Sequence, residues 1–507
     1  MECELWLLSA TLAVSLLYFL SNLRRHSGAA RLPPPPGPRP LPLIGNLLDL
    51  RGGNLHHTLA RLARAHSAPV MRLRLGLAPA VVVVSTPGAA REAFTRHDRR
   101  LAARAVPDTA RALGFSSRSM IWLPSSNPLW KTLRGAVSAH VFSPRGLAAG
   151  RAARERKARD LVNYVRRHAA GREVVDVGQV VYGGVLNLVS TALFSADVVD
   201  VGGESARGLR ELVEELVEMV AKPNVSDLFP FLRPLDLQGW RRHAAGHFEK
   251  VFKILDGMID RRFAEASASS QQDKHGDFLD VLLELVAAGK IDRDNVTTIL
   301  FDILGAGSDT VAITVEWAMA ELLRNPCAMA KARAELDGAL GSKQEAAVGE
   351  ADAARLPYLQ AVLKEAMRLH PVAPLMLPHQ AVEDGVEIGG HAVPKGATVI
   401  FNVWAIMRDP AAWERPDEFL PERFLDGAAV NFRGKNFEFI PFGSGRRMCP
   451  GMPMAERVVP LVLASLLHAF EWRLPDGMSA EMLDVSEKFT TANVLAVPLR
   501  AVPVAIV

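Results

Sequence analysis

Pro441-Phe442-Gly443-Ser444-Gly445-Arg446-Arg447-Met448-Cys449-Pro450-Gly451 places a single cysteine just ahead of an apolar, helix-like run. Gly443 and Gly445 precede the cysteine, and Arg447 stands two residues before it. The positive end of a helix dipole and nearby backbone N–H groups favour sulfur in its charged form and lower its pKa. Pro450 suits the first helical position, where its missing N–H costs nothing. The glycines let the backbone approach a flat ligand where side chains would collide. A lone cysteine is otherwise usually a small buried hydrophobe, so the rest of the chain has to decide. Gly443-Ser444-Gly445 also begins like a dinucleotide fingerprint. Met448 at the sixth position and the short, polar stretch Asn436-Phe437-Glu438-Phe439-Ile440 exclude that reading.

The chain has 507 residues, 49% hydrophobic and 22% charged, a globular composition whose length alone suggests two or three domains. It shows no repeat period of a solenoid or propeller. A net charge of +4 without a clustered basic stripe speaks against nucleic acid as a partner. Cys3, Cys327 and Cys449 are too few and too far apart for a disulfide framework, which points to a reducing compartment for the body.

Leu5 to Leu20 is apolar or small, with Glu2 and Glu4 before it and Arg24, Arg25 and Arg31 after it. That charge order is the reverse of a cleaved signal peptide, so 1–23 reads as an uncleaved anchor with the body in the cytosol. The sequons at Asn224 and Asn295 then stay unglycosylated. The stretch 24–45 is basic and proline-rich, and Pro33-Pro34-Pro35-Pro36 favours a stiff extended hinge that holds the body off the membrane. Residues 46–507 form the remaining body.

Val70 to Val84 reads as a hairpin turning at Gly76-Leu77-Ala78-Pro79, and Ser85-Thr86-Pro87 opens a helix. Most of the chain beyond Pro87 is helical, including Arg151–His168 and Glu204–Ala221. The fold class is therefore mainly α with a small β portion. Trp130 and Arg134 lie four apart on one helical face, an indole N–H and a guanidinium suited to a carboxylate, although such a pair is commonly just a surface helix. Asp294 to Leu323 forms one long helix spanning ~45 Å. Gly305, Gly307 and the pair Asp309-Thr310 at its centre are locally unfavourable, as functional sites tend to be. The plain alternative for Thr310 is a hydroxyl bonding back to the preceding turn. Glu365 and Arg368 share a helix face, a spacing common by chance on solvated helices.

Five separated motifs, in order, resemble those of the cytochrome P-450 superfamily of haem-thiolate monooxygenases. They include W-x-x-x-R, A-G-x-D-T, E-x-x-R, P-E-R-F and F-x-x-G-x-R-x-C-x-G, the last matched by Phe442, Gly445, Arg447, Cys449 and Gly451. The resemblance implies one haem domain of the cytochrome P-450 fold behind an N-terminal transmembrane helix, single-pass in the endoplasmic reticulum membrane. It implies haem b (iron protoporphyrin IX) as cofactor, with Cys449 as the iron ligand whose thiolate favours O–O cleavage. Arg447, Trp130, Arg134 and His379 would bind the propionates, Phe442 would pack beside the sulfur, and Gly443 would lie against the cofactor. Thr310 and Asp309 would deliver protons, although Val311 departs from the Thr or Ser frequent there. The small residues and Thr310 would let the helix ladder open to water. Glu365, Arg368 and Arg423 would form a buried ion cluster. Ile303, Leu304, Ala306, Ala373, Leu375 and Phe489 would line an apolar pocket.

The implied partners are O₂, an apolar substrate, the membrane, and NADPH–cytochrome P-450 reductase docking on a face that includes Lys131 and Arg446. Those charges are equally consistent with plain solvated surface. An oxygen-independent isomerase would typically lack Thr310, and a haem carrier would not need the oxygen motif. The segments at Asn224–Gly239 and Glu487-Lys488-Phe489 resemble plant terpenoid hydroxylases that include geraniol hydroxylases and diterpenoid-phytoalexin oxidases. A labdane-related diterpenoid ranks first as substrate, a monoterpenoid second, and a phenylpropanoid or xenobiotic third.

Overall fold

The computed structural model describes residues 32–268, 276–341, 347–425 and 430–506, so the expected anchor and the start of the expected hinge lie outside the described residues. Helices dominate and the strands are short. The proline run is extended, as its ring-locked backbone requires, but it does not stand off the body. Pro36 O accepts from Arg72 N (2.8 Å), Pro33 O from Ala392 N (3.0 Å) and Pro38 O from Asn46 Nδ2 (3.2 Å). An extended proline chain keeps its carbonyls free, and here Pro36 O covers part of the open edge of the strand holding Arg72, while the other two tie to the 391–393 strand and to Asn46. Over 33–40 the expected spacer is instead a strap bound along the body.

After α1 (Leu55–Ala65) come β1 (Val70–Leu73) and β2 (Val81–Val84), an antiparallel hairpin pairing Val70 with Val84. β3 (Ala103–Arg104), β4 (His379–Gln380) and β5 (Thr398–Phe401) complete a five-stranded sheet in the order β1-β2-β5-β4-β3. β2 runs parallel to β5 and is buried along its whole length, which its four valines allow. The register pairs Arg104 with His379 across β3 and β4, two basic side chains brought together from 275 residues apart in sequence.

The helical side holds α2 (Pro128–Ala136), α3 (Val177–Phe194), α4 (Glu204–Ala221), α5 (Trp240–Ala268), α6 (Arg293–Arg324), α7 (Pro357–Leu369) and α8 (Met452–Ala469). Asn127 caps α2 by accepting from Leu129 N at 2.8 Å. Asp292 and Asn295 close a capping box on α6. The helices α3, α6 and α8 are long and apolar enough to cross a membrane, yet 83%, 67% and 61% of their apolar windows are buried within the body. They are core helices, apolar on most faces because they are surrounded. One apolar cluster joins them, and a second fills the space beneath the sheet.

α6 runs unbroken through Gly305, Gly307 and Thr310, so the expected opening of its ladder is not seen. The reason is local: the Thr310 hydroxyl donates to Ala306 O at 2.7 Å and shields that carbonyl within the helix.

Candidate active site

Between α6 and the loop 440–451 lies a cavity of about 420 Å³. α6 contributes Ile303, Ala306, Gly307, Thr310, Val311 and Thr314, a helical stripe that recurs every three or four residues. Ala306 and Thr310 are exposed although they sit in the middle of a core helix, because they open onto this cavity. A methyl group at Gly307 would meet only ordinary contacts with Val189 at 3.6 Å, so small size here leaves room without being sterically forced.

Ala373 also lines the cavity, but three expected pocket residues do not. Leu304 lies one position off the stripe and turns into the helical core. Leu375 packs with the small cluster around β1 and β2, since its neighbours Ala373 and Met376 take the inward positions. Phe489 lies against the His56 ring, centroid to centroid 5.4 Å, on a strand away from the cavity.

Phe442, Gly443 and Cys449 form the facing wall. Gly443 and Gly445 both have left-handed backbones, φ +72° and +67°, which glycine adopts without strain. Cys449 N donates to Phe442 O at 3.0 Å and folds the loop back on itself. α8 begins only at Met452, with Gly451 at its N-cap, so Pro450 precedes the helix and does not occupy its first turn. The N–H groups of Gly451 and Met452 still point at the sulfur. Burial nonetheless pushes the Cys449 thiol up, outweighing those donors and Arg134. The expected depression of its pKa therefore does not come from the protein alone. A coordinated cation at the sulfur, which deprotonates a thiol outright, would supply the rest.

One end of the cavity gathers Arg104, Arg134 and Arg447 with Trp130 and His379. Among the described residues no carboxylate pairs with any of the three arginines. They bond to carbonyls instead: Arg104 to Leu377 O (2.7 Å), Arg134 to Met448 O (2.8 Å), and Arg447 to Ala102 O (2.7 Å) and to Leu123 O. Burial, and then Arg447, pushes Arg104 down to about 9; burial, and then Arg134, pushes Arg447 down to about 10. The Arg104 Nε is buried without a partner. Three desolvated cations and a free donor fit a ligand carrying two carboxylates, as haem does. Arg104 was missing from the sequence candidates, because a lone arginine on a two-residue strand carries no spacing signal. The Trp130 N–H donates to Met120 O at 3.1 Å, and the Arg447 guanidinium lies over its ring at 5.1 Å. His379 gives its Nδ1 proton to Leu101 O at 2.7 Å, and burial, then Arg104, hold the ring neutral. Its Nε2 can donate to a carboxylate only after gaining a proton.

Asp309 is not on the cavity wall. It turns toward Arg210 and Glu214 of α4, where burial pushes it up to about 6 and leaves its Oδ1 without a partner. Asp302, also absent from the sequence candidates, does line the cavity. It accepts from Ser119 Oγ (2.8 Å) and Met120 N (2.7 Å), tying the 119–120 segment to α6, and burial pushes it up to about 7.

Glu365 and Arg368 are fully buried on α7 and bonded at 2.7 Å, and Arg423 reaches Glu365 at 3.0 Å. Arg368 also donates to Met407 O, Pro416 O and Glu418 O, so the cluster pins the 407–423 segment against α7.

The family Cytochrome P450 matches residues 35–497. Cytochrome P450 76M5 of Oryza sativa subsp. japonica is 67% identical over 507 residues, covering 99% of each chain. Ent-cassadiene C11-alpha-hydroxylase 1 of the same organism is 62% identical, again over 99% of each chain. Geraniol 8-hydroxylase of Swertia mussotii is 43% identical over 92% of this chain and 93% of its own. The chain belongs to the cytochrome P450 family and is a monooxygenase: an oxidoreductase with a haem cofactor that uses O₂, a redox partner and a hydrophobic substrate.

Proposed function

We propose that this monooxygenase hydroxylates a labdane-related diterpenoid. The observation that carries the proposal is the 62% identity, end to end, to a hydroxylase named for ent-cassadiene, a diterpene hydrocarbon. The cavity is compatible with it: Ile303, Ala306, Val311, Val372, Ala373 and Leu377 offer aliphatic walls to a ligand without charge. A monoterpenoid such as geraniol is the second reading, favoured by the 43% identity to a geraniol hydroxylase.

In this proposal Cys449 ligates the iron of haem b, while Arg104, Arg134, Arg447 and Trp130 hold the propionates, joined by His379 once protonated. Thiolate-ligated haem supplies reductive O–O cleavage and transfer of one oxygen atom. Thr310 presents its hydroxyl oxygen to the cavity while its proton is shared with Ala306 O, so it can accept a hydrogen bond from water or turn to donate one. Asp309, its carboxyl pushed up to about 6 on the α4 side of α6, is the group proposed to return a proton to that position. Asp302 holds against α6 the 119–120 segment whose Met120 O accepts from Trp130 and Arg447.

The domain layout proposed is one haem domain beginning near residue 33 behind an N-terminal anchor in the endoplasmic reticulum membrane. Leu77 N bonds to Leu228 O, and Gly76 N to Ile44 O, so three surface segments meet. They carry exposed Leu41, Leu43, Leu77, Phe231, Leu235 and Leu237, an apolar tip suited to a lipid surface. Electrons come from NADPH through a membrane flavoprotein reductase on the Lys131–Arg446 face.

The test is turnover by membrane-expressed protein with a plant reductase and NADPH on diterpene olefins and geraniol, read by mass spectrometry. An oxidised diterpene is the expected product. Oxidation of geraniol alone moves the enzyme to monoterpenoids, and no product from either removes the terpenoid assignment.

A further inference from the structure

The helices α4 and α5 pack against each other, and Val213 of α4 lies 3.8 Å from the Cβ position of Gly305 on α6. On the outer edge of this pair stand Glu215 of α4 and His243 and His247 of α5. The two histidines are one turn apart, so their rings share a face, with centroids 4.7 Å apart. A ring nitrogen from each histidine and a Glu215 carboxylate oxygen all lie within 4.8 Å of one another.

The tautomer decides what this cluster can hold. His247 Nδ1 lies 3.0 Å from His243 O, and only an N–H bonds to a carbonyl, so Nδ1 carries the proton. A neutral His247 then has its lone pair on Nε2, and Nε2 is in short contact with Glu215 Oε2. A proton or a coordinated cation can lie between those two acceptors. The carbonyl bond at Nδ1 is also the outer partner that metal-bound histidines usually keep, since it fixes the ring and leaves the other nitrogen to the metal.

We infer that Glu215, His243 and His247 form a binding site for a divalent transition cation of the Zn²⁺ class. Two imidazoles and a carboxylate suit such an ion, with a fourth position left to water. Zn–N and Zn–O lengths of about 2.0–2.2 Å require Glu215 to move outward, and its side chain, 57% exposed, is free to do so. The molecule has a second cluster of the same composition, His56, His57 and Glu487. That one is already satisfied, because Glu487 also binds His370 at 3.1 Å and faces Arg408 at 3.8 Å, so a dication would meet existing positive charge. Glu215 has His247 as its sole ion-pair partner among the described residues. A cation bound there links α4 to α5, and through Val213 of α4 bears on α6.

The experiment uses full-length, haem-loaded protein without a polyhistidine tag, stripped by a chelator and titrated with Co²⁺ as an absorbing probe and then with Zn²⁺. The expected result is one equivalent of Co²⁺ with the d–d bands of a four- or five-coordinate site, displaced by Zn²⁺. His243→Ala and Glu215→Gln each weaken binding at least tenfold, while His57→Ala leaves it unchanged. A normal reduced carbon monoxide spectrum in each variant shows that the fold is intact. Absence of a stoichiometric cation, or binding that survives His243→Ala, or binding lost only in His57→Ala, overturns the assignment and leaves a proton as the bridge at Glu215.

Discussion

Thr310 and Asp309 are adjacent in sequence yet face different sides of α6, one toward the cavity and one toward α4. That split makes their replacements distinguishable. Thr310→Ala removes the cavity-facing hydroxyl at that turn, and turnover should then release peroxide in place of product while haem is retained; measured peroxide against product checks it, and tight coupling would count against the proton role. Asp309→Asn acts on stability as well. The folded pKa of Asp309 is raised by burial from 3.8 to about 6, so its proton is held more tightly in the folded state. The Asp309 contribution to stability is therefore greatest below about pH 4, falls as pH rises toward 6 and is flat above, where the ionised form costs up to about 3 kcal/mol. Asp309→Asn should unfold at higher denaturant at pH 7.5, show no such gain at pH 4, and turn over more slowly at both. At this scale the sequence was legible where motifs fix spacing: Cys449, Arg447, Trp130, Arg134 and Thr310 all reach one cavity. Arg104 and Asp302 were not legible, because each depends on strand register or a long-range bond that no local pattern encodes. Leu304 failed because a one-residue step on a helix rotates a side chain by about 100°.

The Glu365–Arg368–Arg423 cluster shows how an ordinary spacing becomes a structural element. On a solvated helix the pair would contribute little, about 0–1 kcal/mol. Here it is sealed from water, and its cations also hold five backbone carbonyls of the segment 407–418. Arg368→Ala leaves Glu365 with half its counter-charge, at a cost of roughly 3–5 kcal/mol. The expected outcome is protein that loses haem during purification and unfolds at markedly lower denaturant, checked by haem content per chain; full retention would contradict the account. The hairpin of β1 and β2, the helix after Thr86 and the extent of α6 were all readable from alternation, caps and periodicity. The proline strap was not, because its partner strand lies more than thirty residues further on.

For the whole molecule, length suggested several domains, whereas one large apolar cluster runs from Ala110 to Ala501, beside two smaller ones at the sheet. The same scale holds the membrane question. If the tip bearing Phe231 and Leu235 rests on lipid, Phe231→Asp combined with Leu235→Asp should release protein lacking residues 1–31 from membranes at lower salt than the same truncation with the native tip. Equal release would remove the tip from the membrane contact. The central claim is that three arginines, without a carboxylate partner among the described residues, and the Cys449 loop together hold a thiolate-ligated haem. The direct measurement is the absorption spectrum of the reduced carbon monoxide complex for the native chain and for Cys449→Ser. The account predicts a thiolate-type Soret band in the first and its loss in the second, with haem still bound through the arginines. A thiolate-type band that persists in Cys449→Ser would contradict it.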